Sequence, residues 1–157
     1  MGFDFIVEVH GTAATFKSIP MIDPSTRTRF HAGMGLETWF PVGVLDIAMA
    51  TFMVHYIGFE EAVAEQPFNR FSDLTGLTAI HLDFKEISDL VAMRRKSYED
   101  GPPVKSAILA TSASAYGIAR MFAALMEPSP IDVRVFRSTA DAARWLEVPV
   151  GFLTTEP

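Results

Sequence analysis

Apolar positions along this chain follow two spacings, every second residue or every third to fourth, and the switches between them mark its elements. Phe3 to Val9 is rich in β-forming residues with imperfect alternation and predicts a strand, broken by Gly11. Pro20, Asp23, Pro24 and Ser25 give the stretch from Ile19 to Ser25 the chemistry of a loop. Thr26 to His31 predicts an edge strand, and Gly33 and Gly35 turn the chain into another strand over Leu36 to Phe40. Asp46 suits an N-cap. The helix it opens at Ile47 should run to about Glu65, because Pro67 disfavours helical backbone at Gln66.

From there strands and helices alternate. Phe68 to Leu74 predicts a strand closed by Thr75-Gly76, and Thr78 to Leu82 a short extended piece. Asp83 caps a helix with Phe84, Ile87, Leu90 and Val91 at helical spacing, and Arg94, Arg95 and Lys96 complement the dipole at its end. Beyond the turn at Asp100-Gly101-Pro102-Pro103, Val104 to Thr111 reads as a continuous apolar run, the pattern of a strand covered on both faces. Ser112 or Ser114 caps a helix to Met126, with Ile118, Met121, Phe122 and Leu125 on one face. Ile131 to Phe136 is an alternating strand, and Ser138 or Thr139 caps a last helix carrying Ala142, Ala143, Trp145 and Leu146. The order predicts an α/β fold: a mixed, mostly parallel sheet flanked by helices, with right-handed crossovers. One domain over residues 1–157 is expected, with a β extension at 1–35 and a loosely held tail at 149–157.

Composition narrows the chemistry. Hydrophobic residues are 49% and charged residues 20%, which excludes a disordered chain. A formal charge of −6 counts against binding a phosphate backbone, so no nucleic-acid partner is expected. With no Cys there is no disulfide, thiolate ligand or Cys nucleophile. His10, His31, His55 and His81 are far apart and form no metal-ligand spacing, so neither metal nor cofactor is expected. The start lacks the basic and apolar regions of a signal peptide, which makes the cytoplasm the expected address.

Several segments together resemble the core of a SpoIIAA-like, or STAS-like, domain, a family related in shape to CRAL-TRIO domains. They are Phe68 to Leu74, Val104 to Thr111, Ala115 to Arg120, Val133 to Ser138 and Ala142 to Leu146, with Trp39 to Asp46 resembling the strand and Gly turn before its first helix. The resemblance spans Leu36 to Val148 and implies a small sheet flanked by helices. It also implies a protein-binding module switched by phosphorylation of a Ser in an Asp-Ser-Ser-Gly-like loop. Here that loop reads Thr75-Gly76-Leu77-Thr78-Ala79-Ile80-His81-Leu82-Asp83, without an Asp-Ser pair, so no phosphosite is carried over.

Two places invite a functional reading. In open α/β sheets, ligands lie outside the carboxyl ends of the strands, which selects Asp73, Thr111, Ser112, Ser114 and Tyr116 as candidate ligand-binding residues. The competing reading of Ser112, Ser114 and Asp73 is plain capping of helix and turn. A small hydrolase or transferase at Asp73, Ser112 and Ser114 would need His10, His55 or His81 nearby, and no Gly-x-Ser-x-Gly elbow is present. The second place is the helix after Asp46, apolar on nearly its whole circumference yet too short to span a bilayer. Cover by the N-terminal segment, a subunit interface and an apolar ligand cavity are its three readings. Met49, Phe52, Met53, Tyr56 and Phe59 are the candidate contacts of a homodimer. The functional expectation is a non-enzymatic binding or regulatory module for a protein partner or a small apolar ligand. Thr75, Thr78 and Ser88 are the acceptors nearest the family's switch loop, and intact-mass spectrometry of the native protein should find no stoichiometric phosphate on any of them.

Overall fold

The computed structural model describes residues 27–154, and before them the backbone of two strands, β1 (Ile6–Val9) and β2 (Thr12–Thr15). These two pair antiparallel as a sheet of their own. Expectations for the loop at 19–25 and for the last three residues lie outside the described residues.

β3 (Thr28–His31), β4 (Leu36–Trp39), β6 (Asn69–Asp73), β8 (Val104–Leu109) and β9 (Ile131–Phe136) form one five-stranded sheet in the order β3-β4-β6-β8-β9. β3 runs antiparallel at the edge and the other pairings are parallel. β5 (Gly43–Asp46) and β7 (Leu77–His81) make a second, two-stranded parallel pair. The helices are α1 (Ile47–Val63), α2 (Phe84–Ser97), α3 (Ala113–Leu125), α4 (Thr139–Leu146) and α5 (Gly151–Thr154). The fold is α/β, with a mostly parallel sheet flanked by helices.

Local chemistry starts α1, α2, α3 and α4 where the sequence places them. Asp46 accepts from the Met49 amide, and Asp83 and Glu86 complete a reciprocal capping box. Of the alternatives, Ser112 rather than Ser114 caps α3, and Ser138 rather than Thr139 caps α4. Other expectations change. Residues 43–46, given no strand of their own in the reading of the sequence, form β5 because β7 offers them a parallel partner. The loose tail is corrected for Gly151–Thr154: Leu153 is 1% exposed and packs with Leu36, Phe71 and Leu146. Phe84, placed on the buried face of α2, is 62% exposed, because Ile87, Leu90, Val91 and Arg94 supply that face.

Strand alternation gives the large sheet two unlike faces. Leu36, Phe71, Ala107 and Leu109 point one way and close-pack against α4 and α5. Val104, Ile108 and Ile131 point the other way, towards α2 and α3.

The turn after α2 is set by contact rather than by composition alone. A Cβ at Gly101 would stand 2.5 Å from the ring of Tyr98, which is buried and donates its hydroxyl to the Pro102 carbonyl at 2.9 Å. Gly101→Ala should cost about 1–3 kcal/mol by overpacking. Gly117 lies in an exposed interior turn of α3, where a Cβ would meet nothing within 4 Å. Gly117→Ala should instead stabilise by about 0.5–1 kcal/mol. Urea unfolding of the two variants checks both signs.

Candidate functional site

The second face of the sheet does not close-pack everywhere. Between it and α1, α2 and α3 lies a cavity of about 210 Å³ with largely apolar walls. α1 supplies Ala50, Met53, Val54 and Ile57, α2 supplies Ile87 and Leu90, and α3 supplies Ile118, Ala119 and Phe122. No residue of α1 is fully buried. Part of its circumference, through Ala50, Met53, Val54 and Ile57, faces this space.

The floor of the cavity is polar where a parallel sheet covered on both faces is normally apolar. Glu37, Arg70 and Ser106 sit opposite one another across β4, β6 and β8, and Trp39, Ser72 and Ile108 form the next rung. All six line the cavity. The apolar run read into Val104 to Thr111 is therefore interrupted at Ser106 for the sake of this face. An i,i+2 polar pair such as Arg70 and Ser72 inside a buried strand was the available signal, and the reading of the sequence missed it.

Arg70 and Arg94 converge on one carboxylate. Glu61, from the last turn of α1, takes a bidentate pair from Arg94 at 2.7 Å each and accepts from Arg70 Nη2. All three side chains are at most 8% exposed. Arg70 also donates to the Phe68 carbonyl at 2.8 Å, and the ring of Tyr98 lies against both guanidinium groups. Arg94, read from the sequence as complementing the dipole at the helix end, is 6% exposed and part of the core.

Three buried polar atoms of residues that line the cavity have no hydrogen-bond partner among the described residues: Glu37 Oε2, Trp39 Nε1 and Arg70 Nε. Leaving such an atom unsatisfied costs about 1–3 kcal/mol, and three in adjacent rungs single out this part of the sheet as the candidate site. Burial, with Glu60 adding repulsion and Arg70 opposing both, pushes the Glu37 carboxyl up to about 7. Burial lowers Arg70 as well, although a guanidinium stays charged at any physiological pH. Among the described residues, no three His, Asp or Glu side chains converge as a metal site, and no helix is long and apolar enough to cross a membrane.

The residues singled out at the strand ends are divided. Thr111, Ser112 and Ser114 line a separate crevice of about 90 Å³ with Leu74, Thr75 and Thr78. Asp73 and Tyr116 are not in its wall. Asp73 Oδ1 accepts from the Thr75 amide at 2.9 Å and the Thr75 hydroxyl at 2.6 Å, and Ser112 accepts from the Ala115 amide at 3.2 Å. Tyr116 is stacked under Arg137 at 3.9 Å, and a hydrogen bond from Arg120 holds its hydroxyl below the usual phenol range. Of the five α1 residues, Met53 faces the cavity, and Phe52 stacks on Tyr56, whose hydroxyl is 3.1 Å from Thr28 Oγ1. Met49 is half-buried and Phe59 is 64% exposed.

No family model and no curated protein matches this chain. A solved structure of an uncharacterized DUF3478-family protein with a SpoIIAA-like fold, from Shewanella loihica, is similar at 18% identity and a TM-score of 0.46. The similarity covers 71% of this chain and 83% of that one.

Glu37 makes the site measurable through stability. Its folded pKa of about 7 lies above the ordinary 4.5, so the folded state holds the proton more tightly than the unfolded one. Its contribution is fully present below about pH 4.5 and is lost as pH rises through about 7, a change of about 3 kcal/mol. Glu37→Gln should remove that loss, so stability of the variant relative to the native protein should climb across this window. Denaturant unfolding at half-unit pH steps measures it, and parallel curves for the two proteins would contradict the assignment.

Proposed function

We propose that this chain is a non-enzymatic binding module that holds a small amphipathic molecule between the sheet and α1, α2 and α3. The observation that carries the reading is the cavity of about 210 Å³, apolar on its helix side and lined by Glu37, Trp39, Arg70, Ser72 and Ser106 on its sheet side. An apolar body fills the space and a polar head faces the sheet, which is the usual composition of a small-molecule site. An apolar cavity of roughly 150 Å³ takes benzene. The larger volume here, about 210 Å³, suits a fused ring or a short branched chain.

The competing proposal, a small hydrolase or transferase at Asp73, Ser112 and Ser114, has less support. Asp73 and Ser112 already accept bonds from their own turn and helix, and Asp73 lies outside the crevice that Ser112 and Ser114 line. Self-association through α1 is a separate proposal. It rests on Phe59 and Val63, one helical turn apart and 64% and 60% exposed.

Ala50→Leu tests the main reading with two readouts. The added side chain enters the cavity, so stability should rise by about 0.5–2 kcal/mol. Binding of the fluorescent amphiphile 2-naphthol should fall at least about tenfold, because the same volume is then occupied. Native protein that leaves 2-naphthol unbound at millimolar concentration would defeat the proposal.

A further inference from the structure

The second half of α1 runs beside the edge strand β3. Tyr56 brings its hydroxyl within 3.1 Å of Thr28 Oγ1. Further along the helix, Glu61 binds Arg70, whose guanidinium lies over the Phe68 ring, and Phe30 of β3 meets that same ring edge-on. Phe59 and Val63 follow Tyr56 by three and seven residues, so they share its side of the helix. Phe30 shares the Thr28 face of the strand. Along this seam water meets large apolar side chains: Phe59 is 64%, Val63 60% and Phe30 48% exposed.

The chain itself arrives at this place, since residues 1–26 lead into Arg27, one residue before the contact of Thr28 with Tyr56. Within them β1 and β2 pair with Val7 opposite Ala14 and Val9 opposite Thr12, and with Ile6 opposite Thr15 and Glu8 opposite Ala13. Strand alternation assigns the first four positions to one face of this ribbon and the other four to its opposite face. In the sequence Phe5 and Phe16 continue the first alternation, and Asp4 and Lys17 the second. One face is therefore apolar apart from Thr12, and the other carries the charge. A two-stranded ribbon is marginal in water until such a face packs against something. The eleven residues 16–26 span up to about 36 Å when extended, more than the roughly 26 Å length of α1, so the ribbon reaches the whole seam. Pairing of two α1 helices would cover Phe59 and Val63 but leave the apolar face of the ribbon in water. We infer that the β1–β2 ribbon docks, by its Val7, Val9 and Ala14 face, on Phe30, Phe59 and Val63 of its own chain. It takes the side chains that self-association through α1 would need.

Two measurements on the full chain test this. Because the chain has no Cys, a nitroxide on the Gln66→Cys variant sits at a single place, just past the end of α1. It should broaden the amide signals of β1 and β2 and leave sharp those at the start of α3, which lies beyond the opposite end of the sheet. The second measurement is hydrogen exchange. Phe59→Asp should speed exchange of the β1 and β2 amides at least about tenfold, because an undocked ribbon opens more often. Phe84→Asp changes an equally exposed apolar position at the start of α2 and should leave those amides as they are. Sharp β1 and β2 signals in the nitroxide-bearing chain, or equal exchange in the two Asp variants, overturns the docking. Broadening of β1, β2 or α1 signals in isotope-labelled native chain mixed with unlabelled nitroxide-bearing chain gives the seam to a second copy, and overturns it as well.

Discussion

Glu61 is the residue on which the arrangement turns. It is placed at the end of a helix that buries no side chain completely, and it binds an arginine from the sheet and an arginine from α2. At this end an ionic clamp holds α1, and at the other end β5 leads into it from its pairing with β7. Breaking one partner of such a buried cluster typically costs about 3–5 kcal/mol, roughly the scale of several core methyl groups. Between those ends α1 lies beside α2 and Tyr56 reaches Thr28, while Ala50, Met53, Val54 and Ile57 line the cavity beneath it.

The same clamp explains why polar groups are tolerated on the sheet below. Arg70 is held from one side by Glu61 and the Phe68 carbonyl and from above by the ring of Tyr98, so most of its guanidinium is satisfied before Nε is considered. Glu37, its cross-strand neighbour, has no comparable partner, and its acidity shifts accordingly. Position in one rung, rather than residue type, separates a paired charge from an open one.

Much of the fold was legible because its signals are local. Asp46, Asp83, Ser112 and Ser138 announce four helices by their capping chemistry, and the alternation of strands and helices gives the parallel sheet. What escaped depends on distant partners. β5 exists because β7 lies beside it, and α5 is held because Leu153 finds Leu36 and Phe71, more than eighty residues earlier in the chain. The candidate site is of this second kind. Glu37, Arg70 and Ser106 are separated by more than thirty residues at each step, and only the register of three strands aligns them. The helix above did carry a visible trace, an apolar surface with no polar side, but a covered helix, an interface and a cavity wall share that pattern.

The two faces of the large sheet divide the labour of the molecule. Leu36, Phe71, Ala107, Leu109, Leu146 and Leu153 form a dry, close-packed core that includes neither the clamp nor the helix above it. Because that core carries its share of the folding free energy alone, residues over the opposite face are released from close-packing constraints. Substitutions among Ala50, Met53, Val54 and Ile57 alter the shape of a void instead of the fit of a jigsaw. Such an architecture is evolvable: mutational drift can remould the chamber while the scaffold that bears it goes on folding.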